Sequence, residues 1–306
     1  MQNNYSLLIV LIFVSGFKSI SAQTHHYRVQ GYKPAINLLW DEDEEEEDSI
    51  KGVSFGLNLG GYFASKKTAN FYNGVGSTAS VGQNEVQYYS IEERLNLTQQ
   101  STAQINNYFN SSSFFLPNDA YPANMRYMPA FSVGLQIKYN MSRYSAIIFN
   151  LNGIKLKAND RFTVQFQGTT AQQNGQNDVR LFNISGSEQR LNINLGYRQG
   201  WYVNDASNFY FQFGGSALGT RVQSTTIFIA DNQYDLFIGA LNPNQIQQFQ
   251  PRTDFGLGGY ASLGFEFWFK SGYSADLSFG FSRDKMVLLY LEESGWNRWL
   301  QLSFSI

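Results

Sequence analysis

The sequence has 306 residues, of which 16% are aromatic and only 15% are charged, and it contains no cysteine. Because an ordinary soluble domain has roughly 25% charged residues, the low charge argues against a fully solvated surface. The lack of cysteine excludes a disulfide framework, a thiolate metal site and a lipid-modified N-terminal cysteine. The mean hydropathy is slightly polar, at -0.31. Beyond the N-terminus no apolar run reaches the roughly 20 residues of a transmembrane helix, so apolar and polar residues must alternate.

The N-terminus has the features of a secretory signal peptide. An apolar stretch over residues 7–17 is followed by the small residues Ser19, Ser21 and Ala22. We predict cleavage after Ala22, which makes residues 1–22 the signal peptide. The alternative is a short membrane anchor, which the length disfavours because a span needs roughly 17 apolar residues.

Residues 23–52 form an acidic segment between the signal peptide and the first predicted strand. Adjacent carboxylates repel one another, so we predict a solvated, disordered arm in the periplasm. The arm lacks the glycine and ligand spacing of a calcium-binding loop, and no metal site is predicted. Its functional interpretation is a tether for a basic surface on a partner protein of the envelope. Its eight consecutive acids are Asp41, Glu42, Asp43, Glu44, Glu45, Glu46, Glu47 and Asp48.

From residue 53 onward, apolar and polar residues alternate with the period of a β-strand that has one apolar face. The clearest example is residues 254–270, where Phe255, Leu257, Leu263 and Phe265 share one side. Its length suits a tilted transmembrane strand, which needs about 9–11 residues. The pattern predicts strands within residues 53–63, 131–139, 145–156, 191–201, 209–217, 255–269, 273–281 and 296–306.

The connections between these strands alternate between short and long. Outer-membrane barrels have short periplasmic turns and long extracellular loops. Residues 53–306 are therefore predicted to form an all-β, transmembrane antiparallel β-barrel of about eight strands with both termini in the periplasm. Residues 157–187 are interpreted as a hairpin that prolongs two strands beyond the membrane, and a ten-strand barrel is the alternative. The Asn-Pro pair in residues 242–250 predicts a short helix. The short connections are residues 140–144, 203–208 and 270–272, and the long ones are 64–126, 157–187, 222–252 and 283–295.

Three features of the sequence resemble those of a known class of membrane proteins: the signal peptide, the alternating strands and the terminal segment Trp299–Ile306. On these features the chain resembles the OmpA/OmpX-like superfamily of small outer-membrane β-barrels and, more loosely, the PorT-like barrels of Bacteroidota. The resemblance implies location in the bacterial outer membrane, contact with its lipid, and recognition by the β-barrel assembly machinery. Phe304 and Ile306 are the residues that match the assembly signal, whose usual last residue is aromatic.

Four charged residues are predicted to point into the barrel, each a few residues from the periplasmic end of its strand: Lys138, Arg198, Glu266 and Asp276. The turn at residues 270–272 places Glu266 directly opposite Asp276, where like charges are destabilising unless a cation lies between them. Since eight strands enclose a space that side chains fill, we interpret the four as a salt-bridged layer that closes the lumen. A gated or proton-sensitive conduit is the alternative.

Enzyme chemistry is not predicted. Outer-membrane barrel enzymes resemble one another in using a histidine, and the only histidines here, His25 and His26, lie in the acidic arm. We predict no cofactor and no nucleic-acid partner. The predicted function is that of a structural or protein-interaction component of the envelope, including an accessory role in a secretion or assembly complex. A small-solute channel is one alternative. A ligand-binding barrel is another, using loop aromatics at Phe71, Tyr72, Tyr88, Tyr89, Tyr108, Phe114 and Phe115.

Overall fold

The computed structural model describes residues 51–79, 86–117, 119–204, 206–238, 241–242, 245–246, 253–269, 272–288 and 291–306. The predicted signal peptide and residues 23–50 of the predicted arm lie outside the described residues. Among the described residues, no helix has both the length and the apolar character needed to cross a membrane.

Long antiparallel strands form a closed, hydrogen-bonded ring. Each strand pairs with the next along the chain, from β1 to β8. The ring closes because β8 also pairs with β1, with Leu57 opposite Phe304. The strands are β1 (Gly52–Phe63), β2 (Ala130–Asn140), β3 (Ser145–Gln167), β4 (Asp178–Asn204), β5 (Ser207–Ile229), β6 (Thr253–Trp268), β7 (Ser274–Leu288) and β8 (Leu291–Ser305).

The strands have an apolar outer face and a polar inner face. On β6, Phe255 and Leu257 point outward and are 63% and 73% exposed, whereas the inward-facing Ser262 and Glu266 are 4% and 5% exposed. Exposed apolar rows occur all around the ring, on each of its strands. Such a continuous band is stable only in contact with lipid. The prediction of a transmembrane antiparallel β-barrel is confirmed.

β3 and β4 are much longer than a membrane crossing requires. They have 23 and 27 residues, against the roughly 9–11 of a transmembrane strand. Their pairing continues without interruption to Phe166 opposite Asp178. Residues 157–187 therefore prolong these two strands as a hairpin, and its tip carries a short helix, Thr170–Gln173.

The first loop, residues 64–129, has structure that the sequence pattern did not predict. Ser90 and Glu93 form a reciprocal capping box at the start of one helix, which satisfies two otherwise free backbone N–H groups. Asn110 adopts a left-handed conformation, with φ of 50°, and ends the next helix. The loop contains helices α1 (Lys66–Ala69), α2 (Ile91–Asn96) and α3 (Gln99–Phe109), a 3-10 turn (Asn70–Tyr72), and short strands Ser77–Ala79, Val86–Tyr88, Ser113–Phe115 and Arg126–Tyr127.

Between β5 and β6, the described residues include four more short strands: Asn232–Asp235, Phe237–Ile238, Leu241–Asn242 and Gln245–Ile246. The last two pair with each other, so the helix predicted within residues 242–250 is wrong at these positions. A helix of so few residues is marginal on its own, so the strand pairing of Asn242 with Gln245 and of Leu241 with Ile246 replaces it.

The first loop folds into the mouth of the barrel at the end that carries the β3–β4 hairpin. Its side chains Ile91, Leu95 and Ile105 are fully buried, and they belong to one apolar cluster with the barrel residues Leu218 and Met286. Glycine at position 186 permits this packing, because a Cβ there would lie 2.2 Å from the ring of Tyr72. The upper part of the barrel interior is therefore filled by the protein's own first loop.

Candidate functional site

The four charged residues predicted to share a layer lie together in the lumen. We call Lys138, Arg198, Glu266 and Asp276 the lower charge layer; all four are at least 95% buried. They come from β2, β4, β6 and β7, and the β6–β7 register places Glu266 opposite Asp276. The four residues are therefore brought together from four different strands.

Arg198 separates the two opposed carboxylates of the lower charge layer. Its Nη1 and Nη2 atoms lie 3.1 and 3.3 Å from the two oxygens of Asp276, and Nη1 lies 3.4 Å from Glu266. Lys138 forms an ion pair with the other oxygen of Glu266. The Arg198 guanidinium also lies over the ring of Tyr210, 3.8 Å from its centroid. Two cations and two anions thus offset one another, which buried ions require because removing each from water costs several kcal/mol.

Amide side chains occupy the middle of the lumen. Asn58 donates hydrogen bonds to Asn150 and Asn152 at 3.1 and 3.2 Å, and Gln136 donates to Asn150 at 3.1 Å. Two cavities between the lumen side chains have volumes of about 10 Å³ each. A cavity of this size is at the lower limit for holding one water molecule. The middle of the lumen is therefore packed.

A second set of buried charges lies closer to the mouth. We call Glu188, Arg190 and Asp284 the upper charge layer. Arg190 donates from Nε to Glu188 at 2.5 Å and from Nη1 to Asn297 at 3.3 Å. Asp284 accepts hydrogen bonds from Asn297, at 2.9 Å, and from the hydroxyl of Ser216. This layer joins β4, β5, β7 and β8 across the lumen.

The first loop is attached to the upper charge layer by polar contacts. Tyr72 and Tyr127 donate their hydroxyls to Glu188 at 2.5 and 3.0 Å, and Arg190 donates to Thr68 at 3.3 Å. Burial, together with the adjacent Glu188 carboxylate, raises the pKa of Tyr72 well above its usual value. The Tyr72 phenol therefore stays protonated and remains a donor. The loop that covers the mouth is tied to the same buried charges that close the lumen.

The upper charge layer was not found from the sequence, although a signal was present. The sequence pattern predicts a loop at residues 283–295 and a fourth membrane strand within residues 191–201. In the structure Glu188 and Arg190 continue the inward-facing alternation of Asn192 and Asn194 toward the mouth. Extending the period of two along β4 would have identified both residues.

The proposed aromatic binding surface in the first loop is wrong for most of its members. Five of the seven are at most 9% exposed, and all of these except Tyr89 pack inside the apolar cluster of the loop. Tyr108 and Phe115 remain exposed, at 52% and 36%. The buried members are Phe71, Tyr72, Tyr88, Tyr89 and Phe114.

The terminal residues predicted as an assembly signal lie on the outer face. Phe304 and Ile306 are 50% and 76% exposed. The backbone of Ile306 exchanges two hydrogen bonds with Phe55 on β1, at 2.9 and 3.1 Å. The end of the chain therefore lies at the seam where the ring closes. The acidic run at residues 41–48 lies outside the described residues.

Comparisons with known proteins find distant structural similarity only. No family model matches the chain, and no curated protein matches it. Among solved structures, the outer membrane protein OprG of Pseudomonas aeruginosa is 10% identical in sequence to this chain. The match covers 84% of this chain and 97% of the OprG chain, with a TM-score of 0.35. Neisserial surface protein A is 9% identical to this chain, and the match covers 84% of this chain and 99% of the neisserial chain, with a TM-score of 0.34. The attachment invasion locus protein Ail of Yersinia pestis is 9% identical to this chain, and the match covers 84% of this chain and 98% of the Ail chain, with a TM-score of 0.31.

The membrane location follows from this chain's own geometry. A closed antiparallel ring with an apolar outer band and a polar interior is the architecture of outer-membrane β-barrels. The predicted location, the bacterial outer membrane, is in agreement with this ring and band.

The lower charge layer leads to a stability prediction. We expect Arg198→Ala to destabilise the folded barrel by about 3–5 kcal/mol, because it leaves two buried carboxylates opposed to each other with one cation. The outward-facing, exposed Arg161 provides the control, and Arg161→Ala should change stability by no more than about 0.5 kcal/mol. Urea unfolding of the refolded protein in detergent measures both effects. Equal unfolding midpoints for Arg198→Ala and the unmodified protein would show that the layer does not contribute to stability.

Proposed function

We propose that this protein is a closed, non-enzymatic outer-membrane β-barrel that acts through its extracellular surfaces and not through its lumen. The observation that carries the proposal is the continuous filling of the interior. The lower charge layer, the packed amides, the upper charge layer and the first loop follow one another along the barrel axis.

Passage of a solute would require both charge layers to separate. Breaking a buried ion pair costs about 3–5 kcal/mol when one partner is removed, and the upper layer is also held to the first loop by Tyr72 and Tyr127. These contacts support a barrel that stays closed. They make the small-solute channel the less favoured function.

The tip of the β3–β4 hairpin is the contact surface we favour. Val179 and Leu181 are 48% and 63% exposed there, well beyond the lipid-facing band. Phe228, on β5 opposite Asn183, is also 47% exposed. Among the described residues, positions 178–182 of β4 pair with β3 alone, since the pairing of β4 with β5 ends at Asn183. An open strand edge with exposed apolar side chains favours a protein partner that adds a strand.

The more specific roles inferred from the sequence remain proposals. They are an accessory part in a secretion or assembly complex, binding of a basic envelope partner by residues 41–48, and kinship with the OmpA/OmpX-like or PorT-like barrels. Both termini are proposed to lie in the periplasm. The short connections between β2 and β3, β4 and β5, and β6 and β7 support this orientation, because periplasmic turns are the short ones.

Single-channel recording tests the closed lumen. We expect no steady ion current from the folded protein in a planar lipid bilayer, because the two charge layers and the first loop block the path. Insertion must be verified on the same sample, by protection of the transmembrane strands from protease. A steady current from the inserted, unmodified protein would overturn the proposal and favour the small-solute channel.

Site-directed labelling tests the orientation. Because the chain has no cysteine, a single introduced cysteine is a unique label site. We expect Leu181→Cys, at the hairpin tip, to react on intact cells with a maleimide too large to enter the periplasm. Ala206→Cys, in the short connection between β4 and β5, should react only after the outer membrane is permeabilised. The reverse pattern would place the hairpin in the periplasm.

A further inference from the structure

Basic side chains cluster on the outer surface just above the lipid-facing band, on one sector of the barrel. Lys155 on β3 is opposite Gln189 on β4, and Gln189 is opposite Arg221 on β5. Lys157, two residues further along β3, is opposite Ser187. All three cations are exposed. We call these five residues the basic patch.

The basic patch begins directly above the last apolar row. That row contains Leu191, opposite Gly153 and Gly219, and it continues to Phe255; Leu191 and Phe255 are 41% and 63% exposed. Two residues along a strand span roughly 6.6 Å. The headgroup layer extends roughly 5–7 Å beyond the hydrocarbon core. Lys155 and Arg221 therefore lie at the depth of the lipid headgroups.

The positive charge of this sector is not offset. Within the described part of the chain, no carboxylate forms an ion pair with a cation of the basic patch. The one acid on β3, Asp160, accepts a hydrogen bond from the backbone N–H of Asn124.

The β7–β8 sector differs at the same end of the barrel. There Lys285 pairs with Glu292 at 2.6 Å, and Lys67 pairs with Glu293 at 3.0 Å. Lys67 and Lys285 are therefore matched by acids of the same chain, and Arg283 lies over the ring of Trp296. Within the described residues, no acid pairs in this way with a cation of the basic patch.

The spacing within the basic patch suits a phosphate group. Neighbouring strands lie roughly 4.8 Å apart, so Lys155 and Arg221 flank Gln189 within reach of one bound anion. Lysine and arginine bind phosphate oxygens through charge-assisted hydrogen bonds, and the amide of Gln189 supplies a further donor. Isolated cations at a membrane surface only extend their charged ends toward water, but here three lie at neighbouring register positions on adjacent strands.

We propose that the basic patch binds the phosphate groups of anionic lipids in the outer leaflet of the membrane. The proposal rests on the proposed orientation, which places the long loops outside the cell. A lipid is favoured over a soluble phosphate because the basic patch is continuous with the exposed apolar row of Leu191 and Phe255. One lipid molecule can contact both surfaces at once, with its phosphate on the cations and its acyl chains on the apolar row.

Native mass spectrometry of the folded protein in detergent, with equal amounts of phosphatidylglycerol and phosphatidylcholine, tests the proposal. We expect the unmodified protein to retain more phosphatidylglycerol. Lys155→Gln combined with Arg221→Gln should lower this preference about tenfold, since each cation near an anionic lipid surface contributes substantially to binding. Lys67→Gln combined with Lys285→Gln removes the same charge from the β7–β8 sector and should change the preference less than about twofold.

Three results would overturn the proposal: no lipid preference in the unmodified protein, an equal loss in both double variants, or displacement of the lipid by equimolar inorganic phosphate. Circular dichroism must show that both variants are folded. Binding in detergent depends neither on a closed lumen nor on orientation. An ion current or a reversed pattern of cysteine labelling would therefore refute the proposed function. The mass-spectrometric measurement of lipid preference could still be interpreted on its own.

Discussion

The interior of this barrel is narrow, and an ionisable side chain that points into it is stable only when other residues offset its charge or form hydrogen bonds with it. The opposed carboxylates of Glu266 and Asp276 show the constraint most clearly. Their strands, β6 and β7, are joined by a tight turn, and the resulting register places Glu266 directly opposite Asp276. Arg198, on β4, relieves the repulsion and links β4 to β6 and β7, with which it shares no backbone hydrogen bonds.

The same constraint connects the barrel to its cover. Glu188 accepts hydrogen bonds from both strand and loop residues: Arg190 lies on its own strand, whereas Tyr72 and Tyr127 belong to the first loop. Moving the loop out of the mouth would break the hydrogen bonds that Tyr72 and Tyr127 donate to the Glu188 carboxylate, which costs free energy. The cover and the lumen are thus parts of one closed structure, which supports the proposal that the protein acts through its outer surfaces.

The sequence predicts the barrel well where alternation is regular. The lower charge layer could be anticipated because β6 and β7 alternate strictly and the turn at residues 270–272 fixes their register. The upper charge layer was missed because its residues lie where β4 and β7 extend beyond the membrane. The first loop could not be predicted, since its helices have 4, 6 and 11 residues. Helices this short are stabilised by packing and not by their own sequence, as the burial of Ile91 and Leu95 illustrates.

An exchange of charges across the lumen tests the central claim, the pairing of buried ions between strands, most directly. Lys138→Glu and Glu266→Lys should each lower the unfolding free energy of the refolded barrel in urea, because each leaves like charges together. The double exchange restores the opposite charges on β2 and β6, and we expect it to recover most of the loss. A double variant whose loss equals the sum of the two single losses would contradict the pairing and, with it, the account of how the lumen is closed.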